Sequence, residues 1–139
     1  MAEFSEMVFL FLLFAGIGGV AGAFLRFVVI EAAHKYTRFP AGVLISNVIG
    51  TFILVFTTLY ISKEAGFSEW KFFENAELIT FFFNTGVIGS FTTFSAISYN
   101  NLVYLEQRKF FPLAMNLFLN LASGTGVVFA AFLLVFYIL

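Results

Sequence analysis

The chain has 139 residues, 61% of them hydrophobic and 11% charged, with a net charge of −1 and no cysteine. Soluble domains carry about 25% charged residues, and a core this small cannot hide such an apolar surplus, so lipid is the solvent that the composition calls for. The near-neutral balance without a basic run gives nucleic-acid binding no footing, and the missing cysteines exclude disulfides, thiolate metal sites and thiol nucleophiles.

A membrane helix needs about 20 predominantly apolar residues, and four charge-free windows meet that length: 7–25, 39–62, 78–105 and 110–139. The first has no basic flank before it and no small-residue cleavage site after it, so it reads as a span and not as a signal peptide. Small residues recur along it at helical spacing. Gly18 and Gly22 form one stripe, and Ala15, Gly19 and Ala23 a second. Such stripes let backbones approach closely, either within one bundle or between subunits. Arg26, Glu31, Lys35 and Arg38 fall in the joint that follows, with His34 beside Lys35. That lone histidine has no second ligand at i+3 or i+4 and reads as a solvated loop group.

The second window opens on Pro40, where a missing N–H costs nothing at a helix start. It carries Gly42, Ser46 and Gly50 on one stripe, Asn47 at its centre and Thr51 one turn on. Between the second and third windows, Trp70, Phe72 and Phe73 lie among charged residues, the pattern of an interfacial segment with an aromatic anchor. Glu106, Arg108 and Lys109 join the third window to the fourth, which starts at Pro112 and carries Asn116, Asn120 and Gly124 at i, i+4 and i+8. One domain covers the whole chain, with no linker and no internal repeat. The first and third joints hold Lys35, Arg38, Arg108 and Lys109, with Arg26 at a helix end, against Lys63 and Lys71 on the other side. A bias this small permits insertion in both orientations.

Polar groups at membrane depth are costly. A single interhelical amide bond explains any one of Asn47, Asn116 and Asn120, but three together favour a polar pathway. The third window holds the strongest signal, Asn84-Thr85-Gly86-Val87-Ile88-Gly89-Ser90-Phe91-Thr92-Thr93-Phe94-Ser95. Glycine costs about 1 kcal/mol in a helix interior, and Ser and Thr bond back to the chain. A kinked helix stitched by hydroxyls and a helix broken in mid-membrane are both compatible with that run. Freed carbonyls suit a cation and freed N–H groups an anion. Phe94 directly follows the break, and the edge of its ring is the positive end of a quadrupole. Ring edges, amides and hydroxyls could meet a dehydrated anion without a fixed charge that would hold it too tightly to leave.

The run Gly86-x-x-Gly89-Ser90-Phe91-Thr92-Thr93-Phe94-Ser95 resembles the third-helix signature of the Fluc/CrcB fluoride channels, usually Gly-x-x-Gly-Gly-x-Thr-Thr-Phe-Ser-Thr-Phe. Gly18-x-x-x-Gly22-Ala23-x-x-Arg26 is similar to the family's first helix, and Phe39-Pro40-x-Gly42-x-x-x-x-Asn47-x-x-Gly50 to its second. The resemblance implies an all-α membrane protein of four transmembrane helices per subunit, the third broken. It further implies an antiparallel, dual-topology homodimer with two fluoride pores and a structural Na⁺ at its centre, in the cell inner (plasma) membrane. Carried over residue by residue, the Na⁺ carbonyls are those of Gly89 and Thr92. The pore side chains are Asn47, Thr93, Phe94, Ser95 and Ile97, with Asn116 and Asn120 on the fourth helix. Arg26 matches a vestibule arginine, or is a snorkelling anchor at a helix end. The sequence departs from the family at Ile97, where a second ring is usual, at Asn116 and Asn120, where tyrosine and serine are usual, and at Ser90. A heterodimer with a related subunit is the alternative assembly.

Two other function classes compete. A proton-coupled exporter of organic cations needs a carboxylate within the membrane, but Glu3, Glu6, Glu31, Glu64, Glu69, Glu74, Glu77 and Glu106 all lie outside the four windows. A non-transporting scaffold accounts for the small-residue stripes and leaves the glycine and threonine run unexplained. An enzyme has least support, because no acid–base pair, activated nucleophile or metal cluster stands out.

Overall fold

The computed structural model describes residues 2–37, 39–65 and 81–138. Among them every regular element is helical. Helix α1 spans Ala2–His34 and α2 spans Ala41–Ala65. Helix α3 is π-wound over Phe82–Ile88 and closes with the turn Gly89–Phe91. Helix α4 covers Ser95–Glu106, and α5 covers Phe110–Leu133 before continuing as the π-wound stretch Leu134–Ile138.

Among the described residues three stretches are long and apolar enough to cross a membrane: Ser5–His34, Ala41–Ile61 and Phe110–Ile138. The third predicted window is divided between α3 and α4, and neither piece reaches that length. Its first residues, like Arg38 and the Trp70 segment, lie outside the described residues. The first joint is shorter than its charges suggested. Arg26 and Glu31 lie on α1, and His34 is its exposed last residue, so only the stretch from Lys35 to Pro40 turns the chain. Lys63 likewise belongs to the last turn of α2. Charge marks where lipid ends, whereas the backbone bonds of a helix run on through the interface.

Small residues decide how α1 lies on α3. A Cβ added to Gly18 would come 2.5 Å from the Phe82 carbonyl oxygen, and one on Gly86 would come 2.9 Å from that of Ala15. Gly22 faces the Val87 carbonyl just as closely. The glycine stripe of α1 therefore serves packing within the chain. Edge-on pairs Phe11–Phe81 at 5.0 Å and Phe14–Phe82 at 6.4 Å hold the same contact, each worth about 0.5–1.5 kcal/mol. Gly42 meets the α1 backbone at Ile30, which brings α2 against α1. Helix α2 also packs on α5, and α4 packs on α5 across the tight turn at Arg108, which takes φ 55°.

The core is thin. Val43, Ile88, Ile97, Ala131 and Val135 are its buried apolar members, while Phe9, Val20, Phe94 and Leu121 are among many large side chains left exposed. That inversion suits a chain whose outer surface is solvated by lipid. Hydroxyls inside the helices are satisfied locally, as in Ser46 Oγ to the Gly42 carbonyl at 2.8 Å and Thr57 Oγ1 to that of Ile53 at 2.8 Å.

Candidate functional site

Between α3 and α4 the helical ladder stops. Thr92 is extended, with φ −82° and ψ 149°, and helix resumes at Ser95. The reason is visible in where two N–H groups go. Thr93 N–H, which in an unbroken helix would bond the Gly89 carbonyl, donates to Asn47 Oδ1 at 2.7 Å. Ala96 N–H, which would bond the Thr92 carbonyl, donates to Thr93 Oγ1 at 3.3 Å. The carbonyls of Gly89 and Thr92 are thereby left without a backbone donor among the described residues. Only the Thr92 hydroxyl, at 3.4 Å, approaches the Gly89 oxygen.

Asn47 grips this segment from α2 at both ends of its amide. Besides accepting from Thr93 N–H, its Nδ2 donates to the Thr93 carbonyl at 3.1 Å and to Asn120 Oδ1 at 3.4 Å. One side chain thus substitutes for a missing turn of backbone bonding. Gly50, one turn along α2, allows the approach, since a Cβ there would collide with the Thr92 methyl group and the Phe91 ring.

The segment forms a wall of an open groove of about 440 Å³ whose lining includes Asn47, Thr51, Gly89, Thr92, Thr93, Phe94, Ile97 and Asn120. Among the described residues no charged one lines it. Amides, hydroxyls, carbonyls and one exposed ring therefore set its electrostatics, which suits an ion that must enter and leave. Phe94 is 78% exposed and also borders an apolar hollow of about 740 Å³ with Leu113, Leu117 and Leu121. Ser95 stands just outside the groove, its hydroxyl 2.9 Å from Thr93 Oγ1. Asn116 is fully buried behind Asn120 and does not line the groove itself. Arg26 is half-buried on α1, away from the groove lining.

Asn101 on α4, which the sequence reading passed over, joins the same network by accepting from Asn116 Nδ2 at 2.8 Å. Its signal was present: a polar residue inside the third charge-free window, two helical turns beyond the threonine run. Ser123 also lines the groove, though its hydroxyl is spent on the Leu119 carbonyl.

Apolar membrane-length helices beside two shorter helices joined at the extended Thr92, with an uncharged polar groove, define a multi-pass membrane protein of the transport class. The sequence pattern of the CrcB-like proteins, described as camphor resistance (CrcB), matches residues 13–132. The chain belongs to that family. It is 34% identical over 119 residues to a protein of Methanosarcina barkeri named fluoride-specific ion channel FluC 1, covering 84% of this chain and 91% of that one. A Campylobacter jejuni protein named fluoride-specific ion channel FluC is 36% identical over 111 residues, or 78% and 84% of the two chains. One from Thermococcus onnurineus with the same name is 32% identical over 120 residues, or 85% and 89%.

Proposed function

We propose that this chain is a subunit of a passive, fluoride-selective channel of the plasma membrane. The observation that carries the reading is the uncharged groove at the extended Thr92, which Asn47, Asn120 and the exposed Phe94 ring line together. Fluoride is small and strongly hydrated, so a path through lipid must replace its water with hydrogen-bond donors and positive dipole ends. The hydroxyls of Thr93 and Ser95, the N-terminus of α4 and the Phe94 ring edge are such groups. The names of the relatives agree with this choice of anion. A proton-coupled exporter is disfavoured, because the groove lining contains no carboxylate to carry the proton.

We read the interruption as the mid-membrane break of a third span, which makes four spans per subunit. Two subunits inserted in opposite orientations would close the open groove and cover the hollow beside Phe94. The freed carbonyls of Gly89 and Thr92 suit Na⁺, a hard cation that takes oxygen ligands. Bound there, it would supply a positive charge that offsets the converging carbonyl dipoles. Asn47, Thr93, Phe94, Ile97 and Asn120 keep their pore-lining roles as proposals, with Asn47 given a bracing one besides, while Ser95 stands beside the groove and Asn116 behind it.

Liposomes loaded with fluoride or chloride and carrying purified protein give the test. Rapid fluoride efflux without a pH gradient, with chloride retained, is expected. Equal efflux of both anions, or efflux that requires a proton gradient, would overturn the reading. Single cysteines introduced at the two ends should label from both sides of the membrane, and one-sided labelling would refute the antiparallel pair.

A further inference from the structure

The side-chain amides around the groove are joined in one direction only. Thr93 N–H donates to Asn47 Oδ1 at 2.7 Å, and Asn47 Nδ2 donates to Asn120 Oδ1 at 3.4 Å. Asn120 Nδ2 donates to Asn116 Oδ1 at 3.1 Å, and Asn116 Nδ2 to Asn101 Oδ1 at 2.8 Å. Backbone groups fix this sense at two rungs. Asn47 cannot turn over without setting its NH₂ against Thr93 N–H, and Asn120 Nδ2 is also committed to the Asn116 carbonyl at 2.8 Å. Each amide carries one acceptor oxygen and two N–H donors. Along this ladder every oxygen accepts, so what remains uncommitted is N–H: the second of Asn116 and both of Asn101, among the described residues.

We propose that Asn101 is a positioning residue, the terminal acceptor that locks the ladder so that the groove-lining amides of Asn47 and Asn120 set no free oxygen against an anion. The inference rests on the channel reading above. Asn116 is fully buried, so its Nδ2 has only Asn101 to satisfy it from α4. Without that acceptor Asn116 Nδ2 is buried with no partner, and the hold of Asn116 on Asn120, and through it on Asn47, is loosened. Asn101 acts through Asn116 and need not touch the anion.

The test is fluoride efflux from liposomes, read with a fluoride electrode, on variants that elute as the wild-type oligomer. Asn101→Leu is expected to slow efflux about 10-fold, the factor that one lost hydrogen bond of about 1.4 kcal/mol gives. Asn116→Leu should slow it at least as much, and the double variant no further than Asn116→Leu alone. Asn101→Gln, which still offers an amide oxygen, should keep most of the rate. If Asn101→Leu fails to assemble, Asn101→Ser, polar but too short to reach Asn116, carries the same comparison. Wild-type efflux in Asn101→Leu, or independent additive losses in the double variant, overturns the inference alone. A wild-type protein that releases no fluoride overturns the channel reading and this inference with it.

Discussion

Asn47→Leu is the perturbation that separates a brace from a simple pore lining. Leucine keeps the branch at Cγ, though it is larger than asparagine, and removes three hydrogen bonds, at 2.7, 3.1 and 3.4 Å, two of them to the Thr93 backbone. A hydrogen bond nets about 1 kcal/mol in water-soluble proteins and about 0.6 kcal/mol between membrane helices. The two shorter bonds together are then worth about 1–2 kcal/mol, too little to unfold the chain. They are enough to decide a local contest. Without Asn47, Thr93 N–H is free to return to the Gly89 carbonyl and close the helix. A shift of about 2 kcal/mol is roughly a 30-fold change in population, so fluoride efflux should fall by about that factor while elution as an oligomer is unchanged. Hydrogen exchange at Thr93 supplies a second readout, since a regained helical bond should leave its amide protected within a continuous ladder. Wild-type efflux and unchanged exchange in Asn47→Leu would refute the bracing argument.

Phe94→Ile keeps bulk and loses the ring quadrupole, so packing should weaken by only about 1–2 kcal/mol while efflux is abolished or greatly slowed; normal conduction would reduce the ring to packing. Ile97→Phe restores the ring usual in the family at a buried position and should be tolerated, with efflux unchanged or faster in the same assay. Gly50→Ala puts a methyl group onto Thr92 and Phe91 and should cost about 1–3 kcal/mol in detergent melting, together with a slower efflux. Gly126→Ala, which meets open space, is the control expected to be silent. Lys63→Met removes the Nζ bond to the Val135 carbonyl at 3.0 Å and should speed amide exchange over the last turns of α5, at a cost of about 1 kcal/mol or less.

Much of this architecture was legible because lipid makes hydropathy a strong signal. The windows at 7–25, 39–62 and 110–139 correspond to α1, α2 and α5. Their helical ends were misplaced because charges report the interface, as Arg26 and Glu31 on α1 show. The threonine run was visible as an irregularity, but not its mechanism. Local sequence cannot say that Thr93 N–H is taken by an asparagine 46 residues earlier. Asn101 was missed for a related reason. The pair Asn100-Asn101 near a helix end looks solvated until α5 brings Asn116 against Asn101.

These particulars also explain why the interrupted segment stays open with so little polar material. An interrupted membrane helix leaves N–H and C=O groups that hydrocarbon cannot satisfy. Here the stranded N–H groups of Thr93 and Ala96 are matched, one by Asn47 and one by the Thr93 hydroxyl, while the N–H groups of Phe94 and Ser95 and the carbonyls of Gly89 and Thr92 have no backbone partner among the described residues. At Gly89 and Thr92 the residual imbalance is one of acceptors, which calls for a cation. Along the amide ladder every oxygen is taken, so the groove wall there sets no free acceptor against an anion. On the proposed reading the two stretches have different jobs, a fixed cation at the carbonyls and a passing anion beside the amides. A direct consequence is that replacing Na⁺ with a larger cation such as Cs⁺ during purification should lower efflux in the wild type without altering its fluoride-over-chloride preference. A preference that changes with the cation would mean that the carbonyls, and not the amides, select the anion.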